Sequence, residues 1–447
     1  MSWLQKNSSL IGLILSSLLI FVYVGYFLDR TNYSALLLCW VIAFGSYFYL
    51  MKSRLEDFNT LMTLAILGRL ALLFSLPKLS QDFYRFVWDG NMLLEGFNPY
   101  LSLPESFINE GISPIENAEE LYQGMGTLNG SHYTNYPPLN QLNFALASIF
   151  GGNSIFWTVV FLRLQIILAD IGIIYFGRKI LKKLSLNPNQ IFWYALNPLV
   201  IIELTGNLHF ESVMLFFIVL SIYKLLQQKW MVSALLLACA VSTKLIPLLL
   251  LPLFFQWFRN FSKNGIEKFI GFGAIVIMAN LLLFLPFLSD DFIANFSNSV
   301  GLWFRNFEFN ASFYYLFREI GYLFRGYNEI AIIGKILPVL TILYLLYLSL
   351  IKKVKTTQQF FHILLFAFSF YYLFSTTIHP WYLTTLILLG AFTKLKYPLV
   401  WSLVAVISYH AYSTEPYQES LILIALEYAI LFGFMIYETR KIGSAKT

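Results

Sequence analysis

Charged residues are scarce in this sequence. Lys, Arg, Asp and Glu together make up 12% of its 447 residues, about half the share usual in a soluble globular chain, so an ordinary water-soluble fold is excluded. Cysteine is nearly missing. Cys39 and Cys239 both lie in apolar runs, which offers neither a disulfide framework nor a thiolate metal site. No set of His, Cys, Asp or Glu has zinc spacing and no glycine-rich nucleotide loop is visible, so no metal and no cofactor is expected. Polar linkers are few as well, and residues 1–447 read as a single membrane domain. The net charge of +6 is no sign of a nucleic-acid partner, because the basic residues sit in short loops between apolar runs.

What the sequence has in abundance is apolar length. Hydrophobic residues reach 58% and aromatic ones 18%. Runs near the roughly 20 residues needed to cross a bilayer occur at 10–27, 35–51, 60–76, 154–177, 191–205, 210–227, 269–288, 330–351, 359–376, 382–393, 397–412 and 420–438. The first has no small-x-small cleavage site and is expected to be retained. A further stretch, 231–257, is longer than one pass and is interrupted by Lys244 and Pro247. Read as a re-entrant hairpin, it places Lys6, Lys52 and Arg54, the cluster Arg178 to Lys183, Lys224 and Lys229, Arg259 to Lys268, Lys352 to Lys355, Lys394 and Lys396, and Arg440 and Lys441 all on one face. That face is cytoplasmic by the positive-inside rule, and both termini lie on it. A single long pass would break the rule. The expected fold is therefore an all-α polytopic bundle of about twelve transmembrane helices plus a membrane hairpin. Its long loop, 77–153, has two basic against eight acidic residues, a net −6, and faces the outside.

Within that loop, residues 80–100 read SQDFYRFVWDGNMLLEGFNPY. On a helix capped by Ser80, Asp82, Arg85, Phe86 and Asp89 fall at i, i+3, i+4 and i+7, so two carboxylates and a guanidinium share a face. Such a face is either a site in which one acid serves as a base and Arg85 holds a phosphate, or a salt-bridged helix on the membrane surface. Gly96 and Asn98-Pro99 stop that helix and NYPPL at 135–139 re-enters the membrane; Tyr100 and Tyr136 are either architectural or stack on a sugar ring. His209 and Glu211 open a transmembrane helix, as functional groups or as wet caps. Lys244 has no acid near it in sequence and needs an anionic partner, which a lipid phosphate would supply, unless it snorkels to an interface. His379, in TTIHPWYL, is a turn residue beside interfacial aromatics. Arg305, Glu308, Asn310 and Arg318 face phosphate, sugar hydroxyls or only water, on a stretch whose interleaved aromatics suit a helix lying on the membrane.

Taken together, DFYRFVWDG, GFNPY and YPPL, followed by an H-x-E at a helix start, a K-x-x-P and an HPWY turn, resemble the motifs of the GT-C superfamily, integral-membrane glycosyltransferases that use polyprenyl-phosphate sugars. The nearest resemblance is to bacterial polyprenol-phosphate-mannose-dependent mannosyltransferases, over about residues 77–385. It implies a large extracytoplasmic first loop whose acid, at the position of Asp82, acts as general base on an acceptor hydroxyl, with Asp89 as a competing choice and His379 or His209 orienting the acceptor. It also implies a lipid-linked hexose donor, mannose by resemblance, whose phosphate meets Lys244, Arg85 or Arg305, and a glycan or glycolipid acceptor. Transfer is expected to be inverting and metal-independent, at the outer face of a bacterial cytoplasmic membrane. A ligase or polymerase of lipid-linked glycans is the alternative within the same face chemistry. A transporter fits less well, because no internal repeat is visible.

Overall fold

The structure is a computed structural model that describes residues 8–305 and 307–444, apart from the side chains of residues 8–11, 303–305 and 442–444. Every regular element among the described residues is helical, and the one extended pairing is an isolated bridge between Phe309 and Thr377. Apolar stretches become helices because lipid offers no partner for a backbone N–H or C=O, and only a helix satisfies both within one segment. Five helices are long and apolar enough to cross a bilayer: Tyr33–Ser53, Ile155–Lys183, Gly265–Phe287, Ile330–Ile351 and Leu421–Lys441. A sixth is added if the broken pair Val200–Gly206 and Glu211–Leu225 counts as one span.

The expectation of an all-α bundle of about twelve transmembrane helices is thus met in its class, with five or six elements of crossing length among the described residues. Four further apolar helices, Gly12–Tyr26, Phe58–Leu70, Trp230–Thr243 and Pro380–Ala391, are shorter. Others are broken by residues the hydropathy of a run does not register. The run 191–205 splits into Phe192–Ala195 and a π-helical turn, Val200–Gly206, on either side of Asn197-Pro198, since proline has no N–H to give the preceding turn. In 231–257, the helix Trp230–Thr243 stops where Lys244 turns extended at φ −147°, ψ 141°, and the chain resumes as a 3₁₀ segment, Ile246–Leu253. The interruption expected at Lys244 and Pro247 is therefore present.

The chain divides into two compact units. One comprises residues 1–80, 181–209 and 380–447. Its interior is tied by polar side chains reaching backbone carbonyls: Trp40 donates to Leu403 O at 2.9 Å, Tyr47 to Trp193 O at 2.6 Å, and the buried guanidinium of Arg69 to Ala65 O and Ala195 O at 2.9 and 2.8 Å. Non-helical breaks leave such carbonyls free, and buried carbonyls need donors.

The other unit comprises residues 81–180 and 210–379. Five of its helices hold the charged residues of the loop and their neighbours: α1, Asp82–Leu94; α2, Ala118–Gly130; α3, Pro138–Gly151; α4, Glu211–Leu225; and α5, Trp230–Thr243. Gln81, not Ser80, is the N-cap of α1, so the helix starts one residue later than expected and its i, i+3, i+4, i+7 face is kept. It ends as the sequence predicts. Gly96 takes φ +80°, Gly96 N donates to Leu93 O at 3.2 Å and Phe97 N to Met92 O at 2.8 Å, the paired bonds of a Schellman stop. The buried side of α1 carries Phe83, Phe86, Val87, Trp88 and Met92. Phe86 stacks on Phe144 of α3 at 4.6 Å. A Cβ on Gly90 would lie 2.7 Å from Phe144 O, so α1 and α3 touch backbone to backbone there. α3 is tied in turn to the end of α5, for Leu139 N donates to Ser242 Oγ at 3.1 Å.

Candidate active site

The charged face of α1 separates into a locked half and an open half. Asp89 is fully buried. It receives Arg85 Nε at 2.8 Å on one oxygen and Gln141 Nε2 of α3 at 3.0 Å on the other. Arg85, also buried, spends Nη1 on Asn129 O and His132 O at 2.7 and 2.9 Å, which closes the loop after α2 onto α1. A buried pair of this kind needs every partner, since losing one strands the other charge away from water. Asp82, in the first turn of α1, is only half-buried and accepts from Asn129 Nδ2 at a long 3.3 Å. It lines a small pocket with Arg85, Asn129, His132, Thr134, Asn135 and Tyr136. Burial and the Arg85 charge push the His132 imidazole below its usual range, so it stands neutral there. Of the two aspartates, only Asp82 keeps an approach for a ligand.

Glu211 and Lys244 form the second constellation. Lys244 Nζ lies 2.5 Å from Glu211 Oε1, with the lysine side chain 18% exposed and the glutamate 3%. The structure gives Lys244 an anionic partner in a protein carboxylate 33 residues away in sequence, a pairing that spacing along the chain does not reveal. The charge of Asp82 also acts on Glu211. Behind the pair, Ser212 donates to Asp170 Oδ1 at 2.9 Å. Asp170 and Arg163 are both fully buried in the span Ile155–Lys183; neither was singled out in the sequence, although ionisable groups inside a span are costly and usually functional.

His379 is buried and stacks on Phe309 at 4.9 Å. The segments meet through Phe309 N to Thr376 O at 3.1 Å and Ile378 N to Phe309 O at 2.8 Å. Asn310 follows in a left-handed conformation, φ +47°, and is buried beside that crossing. Burial, with the Lys244 charge second, lowers the His379 pKa to about 3. Its ring is a neutral group that can orient a hydroxyl but holds no proton to give as a cation. Glu308 gathers Arg318 Nη1, Tyr314 OH and Asn328 Nδ2 at 2.7, 2.6 and 3.3 Å, and so braces this loop. The Arg305 side chain lies outside the described residues.

Tyr100 is wholly enclosed, edge-on to Phe287 and Phe292, and donates to Tyr136 O at 2.6 Å. Its ring has no face open to a sugar, which corrects the expectation of stacking and leaves it as packing. Tyr136 stays half-buried on the pocket. His209 belongs to the other unit. There it stacks flat on Trp381 at 3.7 Å and lies 3.4 Å from the buried Glu203, which also binds Tyr409 and Asn207. Sequence reading missed Glu203 because it sits in an unremarkable apolar run; the π-helical turn that carries it is a frequent mark of function, but is visible only in the backbone.

The family described as alpha-(1->6)-mannopyranosyltransferase, N-terminal domain, matches residues 2–259. The chain belongs to that family. The family described as ALG3 protein matches residues 207–364. Among curated relatives, alpha-(1->6)-mannopyranosyltransferase A of Mycobacterium tuberculosis is 23% identical over 290 residues, 64% of this chain and 51% of the relative. The protein of the same name from Corynebacterium glutamicum is 27% identical over 206 residues, 45% of this chain and 38% of the relative. The chain thus spans about half or less of the length of these mannopyranosyltransferases. The family match covers α1 to α5 and therefore Asp82, Asp89, Glu211 and Lys244.

Proposed function

We propose that the chain is a mannosyltransferase that moves mannose from a polyprenyl-phosphate donor to a hydroxyl of a glycan or glycolipid acceptor, forming an α-(1→6) link as the names of its relatives suggest. Asp82 is the general base. It takes the proton of the acceptor hydroxyl as that oxygen attacks the anomeric carbon; the bond from that carbon to the phosphate oxygen breaks, and polyprenyl phosphate leaves with the electron pair. One displacement inverts the configuration. Lys244 meets the departing phosphate through its exposed edge while Glu211 holds it in place, and His379 orients a hydroxyl as a neutral ring. The reaction takes place on the extracytoplasmic face of the cytoplasmic membrane, within one membrane domain.

The observation that supports this reading is the unequal state of the two aspartates on α1: Asp89 is consumed by Arg85 and Gln141, whereas Asp82 is half-open on a pocket. The test is reconstitution of the purified chain in vesicles with polyprenyl-phosphate mannose and an α-mannoside, the linkage of the product being read by NMR. Wild type is expected to form the disaccharide, and Asp82→Asn to lose about 10²- to 10⁴-fold in turnover with an unchanged melting profile. Near-normal turnover of Asp82→Asn would remove the base, and consumption of an intact lipid-linked glycan in place of the mannose donor would favour a ligase.

A further inference from the structure

The pocket around Asp82 contains a donor that the fold leaves unused. Arg85 Nε is committed to Asp89 and Nη1 to two carbonyls. Nη2, in contrast, is buried and meets no acceptor among the described residues. A buried N–H of a charged group without a partner costs more than an ordinary lost hydrogen bond, so its retention points to an acceptor that arrives from outside. Nη2 belongs to a side chain that lines the same pocket as Asp82, together with Asn129, His132, Thr134 and Tyr136.

Charge decides what that acceptor is. The positive charge of Arg85 is already neutralised by Asp89 at 2.8 Å. His132 beside it is neutral, and Asp82 adds a negative charge. The surroundings of the pocket therefore sum to one excess negative charge, from two carboxylates against one guanidinium. A phosphate entering there would face like charge at close range, whereas a neutral hydroxyl would not. A sugar edge matches the rest of the lining, since Tyr136 presents a half-buried ring and Thr134 a hydroxyl that accepts from Gln141 at 3.0 Å.

We propose that this pocket is the acceptor subsite and recognises a neutral sugar by two neighbouring oxygens, the attacking hydroxyl on Asp82 and a second oxygen on Nη2 of Arg85. This rests on the assignment of Asp82 as the base. For an α-(1→6) product, the attacking oxygen is O6, on the exocyclic C6, and the second is O4, on C4, two carbon–carbon bonds from C6. Arg85 is then a specificity residue for the acceptor, and the donor phosphate is bound elsewhere.

The test compares methyl α-mannoside with its 4-deoxy analogue, on wild type and on Arg85→Lys, with polyprenyl-phosphate mannose as donor. In wild type, the 4-deoxy acceptor should show a KM raised about tenfold to a hundredfold, the span expected for a hydrogen bond from a charged group, with the donor KM unchanged. In Arg85→Lys, the penalty for removing O4 should shrink towards one. An equal penalty in both proteins, a raised donor KM in Arg85→Lys, or competition between inorganic phosphate and the mannoside would each overturn the subsite. The wild-type comparison stands even if Arg85→Lys fails to fold. Saturation-transfer NMR of methyl α-mannoside on wild type separates the two readings without turnover. Binding with contacts concentrated at C4 to C6 supports the subsite even where no transfer occurs, which would sink only the catalytic role; no binding sinks the subsite even where transfer to another acceptor is seen.

Discussion

Removing the carboxylate at Asp89 would leave Arg85 as a buried cation with only carbonyls for company. Asp89→Asn is therefore expected to cost about 3–5 kcal/mol of stability, read as a lowered unfolding midpoint in detergent, the opposite signature to Asp82→Asn, which should keep its midpoint and lose turnover. Sequence spacing placed both acids and Arg85 on one helical face, and that much was legible. Which acid was open was not, because burial of Asp89 depends on Gln141, 52 residues away. His379 makes a separate case. Its unfolded imidazole takes a proton near pH 6.5, while the folded one resists until about pH 3, so between those values the unfolded state binds more protons. The stability from keeping the ring neutral is full above about pH 6.5 and drains as pH falls, with a slope approaching about 1.4 kcal/mol per pH unit. His379→Asn should flatten the fall in melting temperature between pH 7 and 5, and an unchanged slope would mean that other groups carry it.

Helix ends announced themselves in the sequence where a local rule governs them, as Gly96 shows at the stop of α1 and Lys244 with Pro247 at the break after α5. Contacts between helices did not. Gly90 gave no signal beyond following Asp89, yet its missing side chain is what lets α1 lie against the backbone of α3, with Ser148 Oγ 2.6 Å and Phe144 O 2.7 Å from where a Cβ would sit. Gly90→Ala improves helix propensity by about 1 kcal/mol, but forces a clash with backbone that has no rotamer to change, and overpacking of this sort costs about 1–3 kcal/mol. The net effect should be destabilising, seen as a lower midpoint and faster proteolysis of α2 and the loop after it, 118–135; a midpoint equal to or above wild type would show that α3 can shift. The runs 191–205 and 397–412 failed as full-length spans for a related reason. Hydropathy counts apolar residues, whereas the path of the backbone through Asn197-Pro198, or through the 3₁₀ segment Ala405–Ser413, depends on which carbonyls find donors nearby.

For the molecule as a whole, the most legible property is a sum. Loop charge needs no knowledge of packing, and the expectation that residues 77–153 face the outside rests on the Lys and Arg gathered in the short loops. The number of spans is less legible, because six or fewer described elements have full crossing length, and short or broken helices cross only in company that supplies partners for their free backbone groups. The expected orientation rests on charge alone and can be tested alone. In a chain with Cys39→Ser and Cys239→Ser, Glu116→Cys lies at an exposed position of the acidic loop, and Lys353→Cys at an exposed position of a basic one. A membrane-impermeant maleimide applied to intact cells should label position 116 and leave 353 untouched until the membrane is opened. The reverse pattern would invert the protein, and would move the pocket of Asp82 and Arg85 to the cytoplasmic side, where a donor displayed on the outer leaflet could not reach it.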